Sequence, residues 1–328
     1  MADASAAGTI LTLSTAYWAS RCLHVVADAG IADALGDSPE TAAALAAKTG
    51  THADALHRIL RSLVSHGIFA LKDGHFSHNA ASRLLRSDHP ASMRALAQMM
   101  GLDVHWDVFR NTAYSLKTGR SAADEAVPGG LFARLREHPE EGRIFNEAMV
   151  AKSFGQIGPV LGAYDFTGFG TIGDIGGGVG HLLAAILDAA PNAKGVLFDL
   201  PEVVAQARRH PRMTAVAGDF FKGPIPPCDA YVMMTVIHDW SDEDSIAILK
   251  NVRATAPAHA KLLLIEAIVD ESRTGDFAVD LDIEMLVFAA GRERTEPQWR
   301  ALLEKAGFRL TRAMPLAGMS GIVEAVVA

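Results

Sequence analysis

Apolar residues recur at helical spacing through the first hundred residues of the chain. The pattern predicts helices over residues 13–34, 41–48 and 51–66. Gly50 and Gly67 follow the second and third of these, and glycine is the common residue just past a helix end. The first part of the chain is therefore expected to be mostly helical.

A hairpin signal follows these helices. Lys72-Asp73-Gly74 lies between two short apolar segments, and the arrangement predicts strands over 68–71 and 75–78. Helices followed by a hairpin are typical of a winged helix. We therefore predict a mostly helical, winged-helix-like domain over residues 1–100.

The next segment, residues 101–165, is predicted to be helical and to link two domains. A helix begins at Pro139 and Glu140. Its periodicity is interrupted further on by four residues that disfavour helix: Gly155, Gly158, Pro159 and Gly162. We expect the domain boundary near these residues, with the C-terminal domain over 166–328.

From residue 171 onward, short apolar strands alternate with helical segments. Strands are predicted over 171–175, 195–198, 213–217, 230–235, 261–267, 308–314 and 322–327. Helices are predicted between them over 181–190, 202–209, 242–254, 280–288 and 296–306. This alternation indicates an α/β fold with a doubly wound, Rossmann-like parallel sheet.

Composition excludes several classes of protein. The 328 residues are 49% hydrophobic and 21% charged, so the chain is able to bury a large core and is not disordered. The apolar stretches 230–237 and 262–267 are far shorter than the ~20 residues of a membrane helix. Arg21 is the first basic residue, which disfavours a secretory signal, and Cys22 and Cys228 cannot form a disulfide framework. We expect a cytoplasmic protein without a membrane partner.

Charge also disfavours nucleic acid as a partner. The net charge is −8. Residues 1–100 hold two Lys and six Arg against seven Asp and one Glu, which leaves the winged-helix-like domain neutral. Its predicted recognition helix carries only Arg58 and Arg61, together with Asp54, whereas a DNA-binding helix needs a basic stripe. Protein packing is the expected role of this domain.

The most informative motif is the glycine-rich turn Asp174-Ile175-Gly176-Gly177-Gly178-Val179-Gly180. It joins the first strand of the C-terminal domain to its first helix, where glycines let a ligand approach the backbone. The spacing is G-x-G-x-G rather than the G-x-G-x-x-G of a dinucleotide site. An acidic residue just before the first glycine suits a ligand that carries positive charge.

Two further carboxylates end the next two strands. Asp199 is placed to accept both hydroxyls of a ribose. Asp219, followed by Phe220, is placed to accept an adenine amino proton while the ring packs on the base. Strand ends of a parallel sheet share one ligand-binding edge, so these residues predict a site for a nucleoside with a cationic, amino-acid-like tail.

Together with His238-Asp239-Trp240 and the segment 291–295, these motifs resemble those of S-adenosylmethionine-dependent O-methyltransferases. The similarity is to the metal-independent small-molecule class, which includes plant caffeate and flavonoid enzymes and bacterial antibiotic-tailoring enzymes. The resemblance implies methyl transfer from S-adenosylmethionine, leaving S-adenosylhomocysteine, to a small aromatic hydroxylated acceptor. It also implies that the N-terminal domain forms a homodimer. Val25, Val26, Ile31 and Leu35, with the alanine-rich helix over residues 41–48, are expected to supply the apolar surface for this contact.

The resemblance assigns cofactor contacts beyond the three aspartates and Phe220. They are Gly176, Gly178, Leu200 and Ser153, the last near the cofactor carboxylate. The family often carries a Lys or Arg within four residues before its catalytic His. Here residues 233–237 are Met-Met-Thr-Val-Ile, so we expect the Thr235 hydroxyl to take over this contact.

The resemblance also assigns the catalytic residues. It implies that His238 is the general base that removes the acceptor proton, a task suited to an imidazole. Glu266 and Glu293 are expected to orient it. For Glu293 the alternative is a solvated residue in a charged turn. No metal is expected, because the Asp-rich set of the Mg²⁺-dependent class is not found in the sequence.

The acceptor pocket is predicted to be walled by aromatic and methionine side chains, which grip flat aromatic molecules. The expected residues are Phe145, Met149, Met285, Trp106 and Phe288. The alternative for Trp106 and Phe288 is an ordinary core position. Two other functions stay open: N-methylation or a non-methylating reaction on the same scaffold, and a ligand-responsive DNA regulator.

Overall fold

The computed structural model describes residues 6–289, 291–316 and 320–328. The chain forms two compact units. One contains Met1–Asp107 and Phe132–Lys152, and the other contains Val108–Leu131 and Ser153–Ala328. No helix within the described residues is both long enough and apolar enough to cross a membrane.

The N-terminal part begins with short helices and a small sheet. Its helices are α1 (Ala6–Thr15), α2 (Tyr17–Asp28), α3 (Ile31–Leu35), α4 (Ala42–Thr49), α5 (Ala53–Ser65), α6 (Ala80–Arg83), α7 (Arg94–Gly101) and α8 (Asp103–Arg110). Its strands are β1 (Glu40–Thr41), β2 (Ala70–Lys72) and β3 (His75–Ser77), and β3 pairs antiparallel with both of the others. The predicted hairpin is present, and β1 adds a strand that the sequence did not indicate.

The prediction of one helix over residues 13–34 is wrong. The chain turns after α1 and again at Gly30, which has φ +64°, a left-handed conformation that ends α2 and starts α3. These turns let Val26, Ile31 and Leu35 fold back onto Leu60 and Phe76 in the core of the N-terminal unit. Each of these three residues is at most 2% exposed.

A long helix crosses the segment in which the sequence predicted an interruption. The helices here are α9 (Thr112–Thr118), α10 (Ala123–Ala126), α11 (Leu131–Glu137) and α12 (Pro139–Ala163). Helix α12 continues through Pro159 and the glycines around it, so the predicted break is wrong. Each glycine costs only ~1 kcal/mol in a helix. Burial of Ile157 and Val160 against the C-terminal core offsets that cost.

The C-terminal part alternates strands and helices as predicted. Its strands are β4 (Thr171–Ile175), β5 (Lys194–Asp199), β6 (Met213–Ala217), β7 (Ala230–Met234), β8 (Lys261–Glu266), β9 (Ile268–Val269), β10 (Arg294–Thr295), β11 (Phe308–Pro315) and β12 (Gly321–Val327). Its helices are α13 (His181–Ala189), α14 (Pro201–Val204), α15 (Asp242–Thr255), α16 (Phe277–Phe288) and α17 (Glu296–Lys305). Helix α14 is shorter than predicted, because the Arg208 N–H turns away to the Val179 carbonyl.

Within the described residues the main sheet has seven strands in the order β11-β12-β8-β7-β4-β5-β6. The five strands from β6 to β8 are parallel, and β12 and β11 are antiparallel to their neighbours. The last pair departs from the predicted parallel sheet because β11 and β12 follow one another without a crossover helix. Strand order reverses between β4 and β7, which places a ligand crevice at their carboxyl ends.

The core lies on both faces of this sheet. On β8, Leu262 and Leu264 pack on one side with Trp299, while Leu263 and Ile265 pack on the other with Leu183. Successive side chains of a strand point to opposite faces, so a strand that is apolar throughout must be covered twice. The sheet is therefore a rigid support for the loops at its carboxyl edge.

Candidate active site

The glycine-rich turn after β4 forms one wall of the crevice. Gly176 and Gly178 have φ values of +69° and +61°, the left-handed region in which a side chain is strained. A Cβ added to Gly178 meets no other atom within 4 Å, so the turn borders open space. The backbone at this turn is accessible to a ligand.

Asp199 ties this turn to the end of β5. Its Oδ2 accepts the N–H of Gly178 at 2.7 Å, and its Oδ1 accepts the N–H of Leu200 at 2.7 Å. Burial raises the pKa of Asp199, and these two backbone hydrogen bonds oppose the shift. Each carboxylate oxygen has a second lone pair, which leaves capacity for two ligand hydroxyls.

Asp174 lies beneath the same turn and is only 1% exposed. Burial, reinforced by the nearby charge of Asp199, raises the pKa of Asp174 to about 7. Its Oδ2 has no hydrogen-bond partner in the part of the chain that the structure describes. A buried acceptor without a partner is costly, and a cationic ligand would satisfy it.

Asp219 and Phe220 lie at the end of β6, as the sequence predicted. The Asp219 carboxylate accepts the N–H of Phe221 at 2.9 Å and lies 3.1 Å from Lys222 Nζ. These contacts hold the pKa of Asp219 below its usual value. Phe220 meets Trp240 edge to face, with ring centroids 5.9 Å apart. The Phe220 and Trp240 rings place an apolar surface beside the ionised carboxylate of Asp219.

The other two predicted cofactor contacts lie in the same unit. Ser153 is half-buried on α12. Thr235 directly follows β7, has φ +51°, and donates its N–H to the Ile265 carbonyl at 3.0 Å. A positive φ is a strained conformation for a β-branched residue. This turn ends β7 one residue earlier than predicted and redirects the chain toward His238.

His238 and the two glutamates predicted to orient it come together in one buried cluster. His238 lies on a short 3₁₀ turn, Ile237–Asp239, and is 3% exposed. Its Nδ1 is 2.6 Å from Glu293 Oε1 and 3.8 Å from Glu266 Oε2. Glu293 is itself 3% exposed, so the solvated alternative for this residue is wrong.

Secondary structure fixes the positions of both glutamates. Glu266 ends β8, and its Oε1 accepts the N–H groups of Val236 at 3.0 Å and Ile237 at 2.8 Å. Strand β9 begins two residues after Glu266 and β10 begins directly after Glu293, and the two strands pair in parallel with Ile268 opposite Arg294. This short pairing aligns the segments that carry the two carboxylates, although they are distant in sequence.

The two carboxylates change the proton affinity of the imidazole. Burial by itself lowers the pKa of His238, but the charge of Glu266 and the hydrogen bond to Glu293, with Asp239, outweigh it and raise this pKa to about 9. Burial raises the pKa of Glu266 to about 7. The cluster therefore binds protons more tightly than its separated groups would.

The His238, Glu266 and Glu293 donor atoms lie within 4.8 Å of one another, the spacing of a group able to hold a metal ion. Two ligands of a tetrahedral zinc ion at ~2.0–2.1 Å are more than 3 Å apart. The 2.6 Å between His238 Nδ1 and Glu293 Oε1 is instead the length of a charge-assisted hydrogen bond. This geometry favours a shared proton.

The predicted acceptor residues lie in both compact units. In the C-terminal unit, Met285 packs with Ala267, next to Glu266, and Phe288 meets Phe109 edge to face at 6.0 Å. In the N-terminal unit, Phe145 and Met149 pack beside Met99. Trp106 also lies in that unit, with the Arg21 guanidinium 5.2 Å from its ring. A common pocket for the five residues remains a prediction.

Two residues around the His–Glu cluster were not found from the sequence. Asp282, on α16, accepts the N–H of Glu293 at 2.8 Å. Arg294, the neighbour of Glu293, is 1% exposed and bonds to the loop around His238. Arg294 lies in a charged segment, which normally indicates exposure, and Asp282 is one polar residue within a predicted helix, so neither had a signal in the sequence.

Comparison with known families identifies the family of this chain. Residues 109–309 match the O-methyltransferase domain, and residues 11–88 match the O-methyltransferase dimerisation domain. The chain belongs to the O-methyltransferase family. It is an S-adenosylmethionine-dependent enzyme. Its N-terminal module is similar to a dimerisation domain rather than to a DNA-binding domain.

Relatives of this O-methyltransferase resemble it over nearly its full length. The phenazine O-methyltransferase of Lysobacter antibioticus is 39% identical, over 96% of this chain and 95% of that protein. An 8-amino-8-demethylriboflavin N,N-dimethyltransferase of Streptomyces davaonensis is 35% identical, over 92% and 90%. A methyltransferase of calicheamicin biosynthesis, solved with S-adenosylhomocysteine bound, is 35% identical with a TM-score of 0.91 and covers 100% of each chain.

The crevice of this O-methyltransferase fits its cofactor. S-adenosylmethionine carries a sulfonium and an ammonium group, and Asp174, Asp199 and Asp219 surround the glycine-rich turn with negative charge. The partnerless oxygen of Asp174 and the open space at Gly178 agree with a cationic ligand there. Asp199 would hold the ribose hydroxyls, and Asp219 with Phe220 would hold the adenine.

Asp199→Ala is expected to weaken binding of S-adenosylhomocysteine at least 100-fold. Two hydrogen bonds to a charged acceptor contribute ~1.5–3 kcal/mol each, and ~1.4 kcal/mol is a factor of ten in affinity. Isothermal calorimetry measures the effect. The matched control is Asp188→Ala, which removes an exposed aspartate on α13. Equal affinities of the two variants would show that Asp199 does not hold the ribose.

Glu266→Gln and Glu293→Gln are each expected to lower the pKa of His238 from about 9 toward the ordinary imidazole value of ~6.5. Each change removes a negative charge that stabilises the imidazolium. NMR titration of labelled histidine, assigned with His238→Ala, gives the value. Glu271→Gln, at an exposed glutamate, is the control. An unchanged pKa in the first two variants would contradict the electrostatic origin of the shift.

Proposed function

We propose that this enzyme methylates a hydroxyl group of a small aromatic acceptor, with His238 as the general base. The observation that carries the proposal is the 2.6 Å contact between His238 Nδ1 and Glu293 inside the buried cluster. A histidine held by a carboxylate on one nitrogen has its other nitrogen fixed in direction and available as a base. A hydroxyl acceptor needs such a group.

The proposed reaction divides between positioning and proton transfer. Nδ1–H donates to Glu293, which leaves the lone pair on Nε2 to accept the proton of the acceptor hydroxyl. Bound S-adenosylmethionine supplies an activated methyl group. Glu266 fixes the turn that carries His238 by accepting the amides of Val236 and Ile237. The imidazolium formed on proton transfer is stabilised by both carboxylates.

A raised pKa makes His238 a strong base but leaves it mostly protonated at neutral pH in the free protein. A nearby cation disfavours the imidazolium. The pKa of His238 is therefore expected to fall when a sulfonium is bound beside it. Turnover should rise with pH as the imidazole loses its proton and level off above its pKa.

An aromatic acceptor is supported by the side chains available and by a relative. Phe145, Met149 and Met285 offer flat and polarisable surfaces of the kind that hold aromatic rings. The phenazine enzyme of Lysobacter antibioticus is named for an aromatic acceptor. We propose an aromatic, secondary-metabolite-like hydroxyl compound as the substrate class.

N-methylation of an aromatic amine is the second candidate. The N,N-dimethyltransferase of Streptomyces davaonensis, 35% identical to this chain, favours it. A neutral arylamine attacks through its lone pair and loses its proton afterwards, so it depends little on a base. The buried His238–Glu293 pair favours oxygen for this reason.

A homodimer formed through the N-terminal module is also proposed. The sequence assigned the dimer contact to Val25, Val26, Ile31 and Leu35, but the last three fill the module's own core. The exposed apolar side chains lie earlier, on α1 and the start of α2: Ile10, Leu11, Leu13, Tyr17 and Trp18, each 54–70% exposed. A monomer rarely leaves such a contiguous apolar surface in water, and the match to a dimerisation domain supports its burial by a second copy.

His238→Ala is expected to reduce turnover of a weakly acidic phenol by ~10²–10⁴-fold, the usual contribution of general-base catalysis. Affinity for S-adenosylhomocysteine should stay within about twofold, because positioning does not use the imidazole. Product mass and calorimetry give the two values. An acidic phenol, already ionised at the assay pH, serves as the control and should be less affected. Wild-type turnover of the weakly acidic phenol by this variant would exclude His238 as the base.

Leu13→Glu is expected to convert the dimer into monomers at micromolar concentration. An isologous contact contains each residue twice, and burial of one leucine contributes ~1.5–3 kcal/mol, so the dissociation constant should rise at least 100-fold. Sedimentation velocity measures it. Leu116→Glu alters a leucine that is 85% exposed on α9 and should leave the dimer intact. A monomeric wild-type protein would refute the dimer.

A further inference from the structure

Arg294 is a buried cation whose position is not explained by the proposed reaction. It lies on β10 directly after Glu293, is 1% exposed, and its Cζ lies 5.2 Å from the centre of the Trp299 ring. Within the described residues its one ion pair is with Asp242, whose side chain is half exposed, at 2.8 Å. Burial of a charge is costly, so its other contacts need a reason.

Those contacts lead to both sides of the turn that carries His238. Nη1 donates to the Ile237 carbonyl at 3.4 Å, and Nη2 donates to the Trp240 carbonyl at 3.2 Å. Nη2 also donates to Ser245 Oγ at 3.3 Å. The Ser245 hydroxyl in turn lies 3.4 Å from the Ile237 carbonyl. One planar guanidinium thus binds the residues that flank the catalytic turn.

A backbone bond completes the connection between the two segments. The Arg292 N–H donates to the His238 carbonyl at 2.9 Å, and a Cβ added to Gly291 would lie 2.0 Å from that carbonyl oxygen. The segment 291–293, which precedes β10 and carries Glu293, therefore lies directly against the turn that carries His238. The Glu293 side chain reaches the imidazole, and the side chain of Arg294, at the start of β10, reaches the flanking carbonyls.

We propose that Arg294 is a positioning residue that sets the His238–Glu293 hydrogen bond by clamping the 237–240 turn to the segment that carries Glu293. The inference rests on the proposed role of His238. The hydrogen bonds of the guanidinium go to Asp242, Ser245 and backbone carbonyls, so it acts on His238 through the geometry of the turn. Lysine cannot replace it, because an ammonium group lacks the planar fork that reaches both carbonyls and Asp242 together.

The decisive experiment compares Arg294→Lys with Arg212→Lys. Arg212 also binds backbone carbonyls, those of Leu187, Ala190 and Ala193, but at the amino end of β6, on the opposite edge of the sheet. Arg294→Lys is expected to lower turnover ~10–100-fold, the effect of a misplaced catalytic group. Its pH–rate inflection should move to lower pH, because His238 is held less well by Glu293. Arg212→Lys should lose stability without either change.

A spectroscopic measurement tests the clamp independently of catalysis. The Nδ1 proton in a 2.6 Å hydrogen bond to Glu293 should give a strongly downfield NMR signal that is absent in His238→Ala and Glu293→Gln. We expect Arg294→Lys to lose or shift this signal, and Arg212→Lys to keep it. If His238→Ala is fully active, the proposed base is wrong. If Arg294→Lys keeps the signal and the pH–rate inflection, the clamp is wrong.

If Arg294→Lys does not fold, Asp242→Asn provides a second test of the proposed clamp. Asp242 is half exposed and holds Nε and Nη2 of Arg294 at 3.1 and 2.8 Å. Loss of its charge should loosen the guanidinium and move the pH–rate inflection in the same direction by a smaller amount. Unchanged turnover, inflection and Nδ1–H signal in this variant would overturn the proposal.

Discussion

The hydrogen bond between His238 Nδ1 and Glu293 Oε1 is the contact on which the proposed catalytic arrangement depends. It joins two groups 55 residues apart in sequence in a site that is almost closed to water. Burial of a carboxylate beside an imidazole is favourable only when a hydrogen bond or an ion pair between the two groups compensates for their loss of water. The strand pairing of β9 with β10 and the 3₁₀ turn after β7 bring these groups together.

The cofactor edge of the same sheet follows a related electrostatic principle. Burial raises the pKa of Asp174, and Asp199 lies close enough for its charge to raise this pKa further. Such an arrangement is unfavourable in the empty protein, and a cation relieves it. Likewise, the two buried carboxylates of Glu266 and Glu293 lie around the single imidazole of His238. Buried carboxylates therefore characterise both halves of the proposed reaction centre.

The sequence indicated the cofactor edge because its chemistry lies in short local motifs. The glycines after β4 and the aspartates that end β5 and β6 each follow an apolar strand, and the parallel sheet brings these strand ends to one edge. The sequence did not predict the continuous α12, because local propensity disfavours Pro159 and the glycines around it. It also assigned Val26, Ile31 and Leu35 to a dimer contact, whereas turns at Gly30 fold them into the core.

Residue type and spacing by themselves predicted the α/β fold and the glycine-rich turn, because each depends on a local pattern, while the resemblance to a known family singled out His238, Glu266 and Glu293. Tertiary structure decided everything that depends on burial and on pairs distant in sequence. It buried Glu293 in a segment that reads as a charged turn, and it placed Asp282 against the backbone of that segment. It also placed the Arg294 side chain, which nothing in the motif distinguishes, against backbone carbonyls of the loop that carries His238. Local sequence cannot specify these contacts, since the desolvation that gives them their strength arises only when the whole sheet edge has folded.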